Sequence, residues 1–437
     1  MRVNLVVNSS KLFSNKTLEI YMKTKLSLAV AAALVAAASS ANAGIMIPAG
    51  DWTVDIGGNV NAYYTHTSFS GNQESSVKGD FSNESANTVQ TGLLPSAFGI
   101  GGKTRQNDLD VAFQITYFVG GDSGSGQAFG NNSINIRQAF LSFGDKSWGT
   151  IKAGRDLGIF GSDAILSDMT LLGVGSGAGA GGTTTLGRIG SGYQYADWVG
   201  QISYASPNWN GFSFAAGIDE GLNNAVDGTN NNLGFQAKAS YEWAGDVGGK
   251  VWVGGLSNKH EGRDAVAGSG FVFDPVTGVG IPASGTSAVK GYTTTAWEIG
   301  AKVDVAGFGL VGYYYDGSGL SGANFPLTQN LNLNGGINFA GFEKTDDNGG
   351  YVQATYTLPG VGTKLGASWG QSVSEAKNSN LEFTNEAWII GAYHPLTKHL
   401  NLVAEYTNNK LEQENGPGLV DDKLKAKTVS LGAILFF

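Results

Sequence analysis

The chain has 437 residues, of which 67 are glycine, nine proline and none cysteine, and it carries 27 Lys or Arg against 36 Asp or Glu. Without cysteine there can be no disulfide, no Cys₄ zinc site and no thiol chemistry, and a formal charge of −9 makes a poor nucleic-acid binder. Such an excess of glycine over proline suits short turns, bulges and tight bends, not collagen or a disordered polymer.

At the amino-terminal end, Met22-Lys23-Thr24-Lys25 leads into an apolar stretch from Leu26 to Ala38, followed by Ala41-Asn42-Ala43 ahead of Gly44. A charged start, a short apolar core and an A-x-A pattern predict a secretory signal peptide over 22–43, cut before Gly44. The run is shorter than the roughly 20 residues a spanning helix needs. Residues 1–21 have no export character and read as an over-extended start ahead of Met22. The segment 1–43 holds five Lys or Arg and one Glu, so the mature chain is more acidic still. From 44 to 437 there is no linker and no long uninterrupted apolar run, which predicts one domain and no helical membrane protein.

Period-two alternation then recurs along the chain. Leu233, Phe235, Ala237, Ala239, Tyr241 and Trp243 alternate with Gly234, Gln236, Lys238, Ser240 and Glu242. Trp297, Ile299, Ala301, Val303 and Val305 alternate with Glu298, Gly300, Lys302 and Asp304. The same rhythm continues at Val352, Ala354, Tyr356 and Leu358, and at Leu400, Leu402, Ala404 and Tyr406. Sixteen strands are predicted, centred near 58, 97, 112, 139, 152, 200, 213, 238, 252, 298, 311, 354, 366, 390, 404 and 432. Short turns at 103–108, 144–148, 207–211, 244–249, 306–307, 359–362 and 395–399 alternate with long loops near 67–89, 121–133, 157–192, 220–231, 259–291, 317–348, 373–383 and 411–424. Seven short turns and eight long loops between sixteen strands match an all-β, transmembrane, antiparallel up-and-down β-barrel with both termini on one side. Trp52, Trp148, Trp209 and Phe437 stand near strand ends, where an interfacial aromatic girdle would lie.

The last strand places Val429, Leu431, Ala433, Leu435 and Phe437 on one face and Thr428, Ser430 and Gly432 on the other. An exposed strand with an oily face invites edge pairing unless the sheet closes on itself. A terminal Phe resembles the ending of bacterial outer-membrane proteins, in which it signals to the barrel-assembly machinery.

Four segments follow one another in the middle of the chain. They are Asn135-Ile136-Arg137-Gln138-Ala139-Phe140, Gly149-Thr150-Ile151-Lys152-Ala153-Gly154-Arg155, Ser162-Asp163-Ala164-Ile165 with Ser167-Asp168-Met169-Thr170, and Leu186-Gly187-Arg188-Ile189-Gly190. In this order and spacing they resemble the general bacterial porins, most sharply over 134–195. The resemblance implies a homotrimer of water-filled barrels in the outer membrane, each with a long third loop folded into the lumen, in contact with lipid and lipopolysaccharide and passing small hydrophilic solutes and ions. It assigns Asp163 and Asp168 as loop acids at the constriction, and Arg137, Arg188 and Arg155 as basic groups facing them across a narrow throat. Facing charges in a low-dielectric throat would orient dipolar solutes. The chain departs from the family pattern at Asn59, Ala97 and Asn135, where basic wall residues are usual, and Leu172-Gly173-Val174-Gly175 stands in place of the loop's P-E-F-G-G. A less charged throat is expected.

His66, His260, His394 and His399 show no zinc-ligand spacing, and no G-x-S-x-G or similar catalytic motif occurs. No metal, cofactor or enzymatic activity is predicted. The alternatives to a diffusion channel are a porin selective for one solute class and, with less support, a non-conducting adhesin or tether displaying the loops at 259–291 and 317–348.

Overall fold

The computed structural model describes residues 44–71, 85–119, 135–178, 184–220, 232–261, 271–273, 280–282, 291–320, 344–376, 382–414 and 421–437. The predicted leader 1–21 and signal peptide 22–43 lie outside the described residues, as do the outer parts of the long loops.

The strands are, in chain order, β1 (Ile45–Ala49), β2 (Trp52–Gly71), β3 (Ser85–Gln90), β4 (Ser96–Gln106), β5 (Leu109–Val119), β6 (Asn135–Asp145) and β7 (Gly149–Leu157). After a connection holding helix α1 (Ser162–Ser167) and a 3₁₀ turn (Met169–Leu172) come β8 (Trp198–Ala205), β9 (Phe212–Asp219), β10 (Gly234–Trp243) and β11 (Val247–His260). A small separate hairpin, β12 (Phe271–Phe273) and β13 (Gly280–Pro282), is followed by β14 (Tyr292–Val305), β15 (Phe308–Ser318), β16 (Thr345–Thr357), β17 (Lys364–Ala376), β18 (Glu382–Pro395), β19 (Leu400–Glu414) and β20 (Asp422–Phe436).

Each barrel strand pairs antiparallel with its neighbours, and β20 returns to β2 from Asn59↔Phe436 to Gly71↔Leu424, closing the sheet. Because β3 and β4 pair with successive parts of β2, they form one interrupted barrel strand. The barrel therefore has sixteen strands, and each predicted centre falls within one of them. The closing seam reaches the last residue. Gly58 N–H donates to the Phe437 carbonyl at 2.9 Å, and Phe437 N–H donates to the Gly58 carbonyl at 3.1 Å. Beyond this point β1 pairs with Trp52–Ile56 and prolongs the line of β20.

Three features differ from the expectation. The strands extend further into the turns and loops, so the connection expected at 103–108 is reduced to Asn107-Asp108, both at positive φ (48° and 61°). Short polar Asn and Asp tolerate this left-handed backbone, which a two-residue hairpin requires. Ala306 (49°) and Gly307 (86°) make the equivalent turn between β14 and β15. The segments β1 and β3 were not expected as strands, and the loop expected at 259–291 contains the β12–β13 hairpin.

The alternation decides which face each residue meets. Val253, Ile299, Leu310, Tyr314, Val352, Trp369, Ile390, Leu402, Val429 and Leu431 are exposed on the outer face. Asn59, Asn61, Thr65, Gln138, Gln201, Gln236, Glu298, Gln353, Ser372, Glu405 and Thr428 are buried on the inner face. An apolar outside and a polar inside is the pattern a lipid solvent imposes on a closed sheet. The inner face is not uniformly polar. Trp252, Tyr313, Tyr315 and Tyr351 are buried there and cluster with Phe160, Ala164, Ile165, Leu171 and Tyr193 of the β7–β8 connection.

Candidate functional site

The β7–β8 connection meets the inner wall through acceptors supplied by inward residues of β10, β14, β16 and β19. Gln236 Oε1 on β10 accepts from Phe160 N–H (2.8 Å), and Glu298 Oε2 on β14 accepts from Gly161 N–H (3.0 Å). Gln353 Oε1 on β16 accepts from Met169 N–H (2.7 Å). On β19, Glu405 Oε2 accepts from Val174 N–H (2.9 Å) and Gly175 N–H (2.8 Å). Tyr351 Oη donates to the Ala164 carbonyl, Tyr63 Oη to Leu172 and Thr67 Oγ1 to Ala178, which carries the contact line on to β2. An irregular segment away from water must have its backbone groups paired. Here the wall side chains supply the partners that a regular element would supply to itself.

Charge is concentrated at two places. The first is Asp163, in the first turn of α1, which accepts from Lys238 Nζ of β10 at 2.8 Å and Lys250 Nζ of β11 at 2.6 Å. Lys238 also donates to Ser162 Oγ, and Lys250 lies 3.2 Å from Glu242. Burial works to raise the Asp163 carboxyl, but the two ammonium groups override it and hold it at about 2. The second is the β5–β7 wall. There Thr116 Oγ1 donates to Gln138 Oε1 (2.8 Å), Gln138 Nε2 donates to Asp156 Oδ1 (2.9 Å), and Lys152 pairs with Asp156.

The residues proposed from sequence are dispersed differently from the expectation. Asp163 is on the connection and meets basic wall residues, but those are Lys238 and Lys250, not arginines. Arg137 lies beside the register shift between β5 and β6, half-buried, its guanidinium 5.1 Å from the centre of the Phe118 ring. Arg155 is exposed and pairs with outward Ala139, since alternation sends its neighbour Asp156 inward. Arg188 lies in the connection itself and is fully buried. Its Nε donates to Ser368 Oγ at 2.6 Å and its Nη1 to the Ser191 and Ala387 carbonyls, both at 3.1 Å. Asp168 caps the 3₁₀ turn, accepting from Thr170 N–H (2.9 Å) and Thr170 Oγ1 (2.8 Å), and also from Tyr193 Oη (2.9 Å) and Arg188 N–H (3.2 Å). Arg188 and Asp168 thus fasten the connection to itself and to β17 and β18. Both side chains are buried, and the atoms named above are bonded to the connection, to β17 and to β18.

Sequence reasoning missed Lys238, Lys250, Glu298 and Glu405 as functional residues. Lys238, Glu298 and Glu405 nevertheless stood on the polar face of clearly alternating strands, and a charged group on an inward face was the available signal. Asn59, noted as a departure from a basic wall, is buried and accepts from Asn61 Nδ2 at 2.8 Å.

Comparison with known proteins gives concordant results. The solved structures it resembles include the outer membrane channel DcaP of Acinetobacter baumannii, at 17% identity and a TM-score of 0.56, over 90% of this chain and 100% of that one. Salmonella typhi OmpF, solved in complex with daunomycin, matches at 18% identity and 0.54, again over 90% and 100%. OmpT of Vibrio cholerae matches at 15% and 0.52, over 90% and 100%. At such identities the likeness shows the fold. No curated protein matches the chain. The profile of the Gram-negative porin family matches residues 29–414, which is most of the chain. With its apolar outer belt, its closed sixteen-strand barrel and this match, the chain belongs to the Gram-negative porins and is an outer-membrane channel protein.

Proposed function

We propose that this porin is a passive diffusion channel, exported by its signal peptide and assembled as a homotrimer, that admits small hydrophilic solutes and ions without turnover chemistry. The observation that carries the reading is the β7–β8 connection, fastened by wall acceptors from β10 to β19 and carrying Asp163 against Lys238 and Lys250. A segment packed along one side of the inner wall narrows the passage and leaves the β5–β7 wall, with the Lys152–Asp156 pair, on the opposite side. Selectivity then follows from throat size and from the charges lining it. Trimeric assembly is supported by the family and by an OmpT structure described as a trimer form.

Single-channel recording of detergent-purified protein in a planar bilayer tests this reading. Openings grouped in threes and a reversal potential under a salt gradient are expected. Protein that inserts but never conducts would favour the adhesin or tether.

A further inference from the structure

Below the connection, toward the short turns, a recess of about 500 Å³ opens between residues 166–172 and the inner face of β14–β17. That volume lies within the range of small-molecule sites. The recess is two-sided in its chemistry. Met169 and Leu171 above and Val311 on β15 are its buried apolar lining, beside Ser167 and Asp168 of the connection and Gln353 and Thr355 of β16. The opposite flank carries Lys364 of β17, with Thr357 of β16 directly across the strand pair on the same face. Gly366 lets the Met169 side chain approach the wall: a Cβ there would stand 2.5 Å from the Met169 sulfur and would displace that side chain.

The charges around the recess are not equivalent. Lys302 has a carboxylate beside it, Asp304 at 3.5 Å. Asp168 lines the roof, but its oxygens are taken by Thr170, Tyr193 and the Arg188 N–H. Lys364 rests 5.1 Å from the centre of the Tyr393 ring, and among the described residues no carboxylate lies within ion-pair distance of it. A cation beside a hydroxyl, across the recess from the buried Met169 and Leu171, is complementary to an anion with an apolar body.

We propose that this recess binds small monocarboxylates with an apolar body, the carboxylate on Lys364 and Thr357 and the body against Met169, Leu171 and Val311. This deepens the diffusion reading and rests on it for its physiological meaning. The connection would then offer passing organic acids a resting place just beyond the narrowest part of the channel.

The test uses benzoate as the probe and benzylamine as its cationic counterpart, added on the short-turn side of the whole channel in a planar bilayer. Benzoate should interrupt the current in a concentration-dependent way, and benzylamine should not. Lys364→Gln should weaken the benzoate effect by about tenfold or more, the scale of one charge-assisted contact, while Lys364→Arg should restore most of it. Heat-modifiable migration in electrophoresis confirms that each variant is folded. Equal interruption by benzoate and benzylamine, or an unchanged benzoate effect in folded Lys364→Gln, would overturn the proposal. If the protein does not conduct, the diffusion reading fails separately, and calorimetric titration of the detergent-solubilised protein with benzoate still decides the site. Binding that is lost in Lys364→Gln supports it, and no binding, or binding indifferent to the substitution, overturns it.

Discussion

The barrel wall and the β7–β8 connection are held by opposite means. In the wall, each backbone group is paired by the neighbouring strand, and a side chain's surroundings follow from whether its position is odd or even. In the connection, backbone donors at 160, 161, 169, 174 and 175 find partners on strands between 76 and 231 residues away in sequence. The wall is therefore robust to changes that respect its alternation. The connection depends on a few side chains, each of which fastens several groups at once.

The largest expected effect separates the two faces of the wall. Ile299 stands outward near the middle of β14, and Ile299→Arg should cost about 3 kcal/mol of folding stability in bilayer or detergent, as a charge does on a lipid face near the midplane. A substitution to Arg at inward Thr355 should cost far less in the same denaturant titration. If both cost the same, the assignment of the faces is wrong.

Next comes the connection. Arg188→Ala leaves Ser368 and the Ser191 and Ala387 carbonyls without their buried donor, which should cost about 2 kcal/mol. The loss should be local: limited proteolysis between 158 and 197 accelerates, single-channel conductance rises as the segment lets go, and the barrel's heat-modifiable migration is unchanged. Proteolysis as slow as in the unmodified protein would mean that Arg188 is not a fastening.

Asp163→Asn should cost less, about 1 kcal/mol, because the amide oxygen still accepts from one of the two lysines and both lysines are only partly buried. Its distinguishing effect is on the ions. Two ammonium groups lose their counter-charge, so the reversal potential should shift toward anions. Asp168→Asn, whose partners are all internal, should leave the reversal potential nearly unchanged. Equal shifts from the two variants would return Asp168 to the throat.

The smallest effect is with pH. Asp163 is held at about 2, below the roughly 3.9 of an unfolded aspartate. A group with its folded pKa depressed contributes stability above the unfolded value and loses it as pH falls through the folded one. The Asp163 contribution should therefore persist to about pH 4 and disappear only toward pH 2. Comparing the pH dependence of the reversal potential in the unmodified protein and in Asp163→Asn isolates it, and a difference that vanishes already between pH 6 and 5 would contradict the paired geometry.

Much of the barrel was legible in the sequence, and little of the connection was. Leu233 to Trp243 announces an outward apolar face and an inward polar one without reference to any other strand, and the structure keeps that assignment. The β3–β4 interruption was not legible, because it arises from the turn at 91–95 meeting Gly173 and Thr184, residues far along the chain. The ordered motifs around 134–195 located the segment that matters. They could not say that Arg155 is exposed, or that Arg188 and Asp168 are buried and bonded within and beside the connection, because resemblance transfers roles whereas orientation depends on register and on what is bonded nearby.

By itself, the sequence determined the number of strands, their alternation and the order of short and long connections, since each depends on a local period or on hairpin geometry. Only the tertiary structure decided that Asp163 meets Lys238 and Lys250, that Arg188 is buried against β17 and β18, and that Lys364 flanks a recess with no carboxylate of the described residues within ion-pair distance of it. Those outcomes depend on which inward side chains the barrel's curvature brings opposite an aperiodic segment, and no local pattern encodes that.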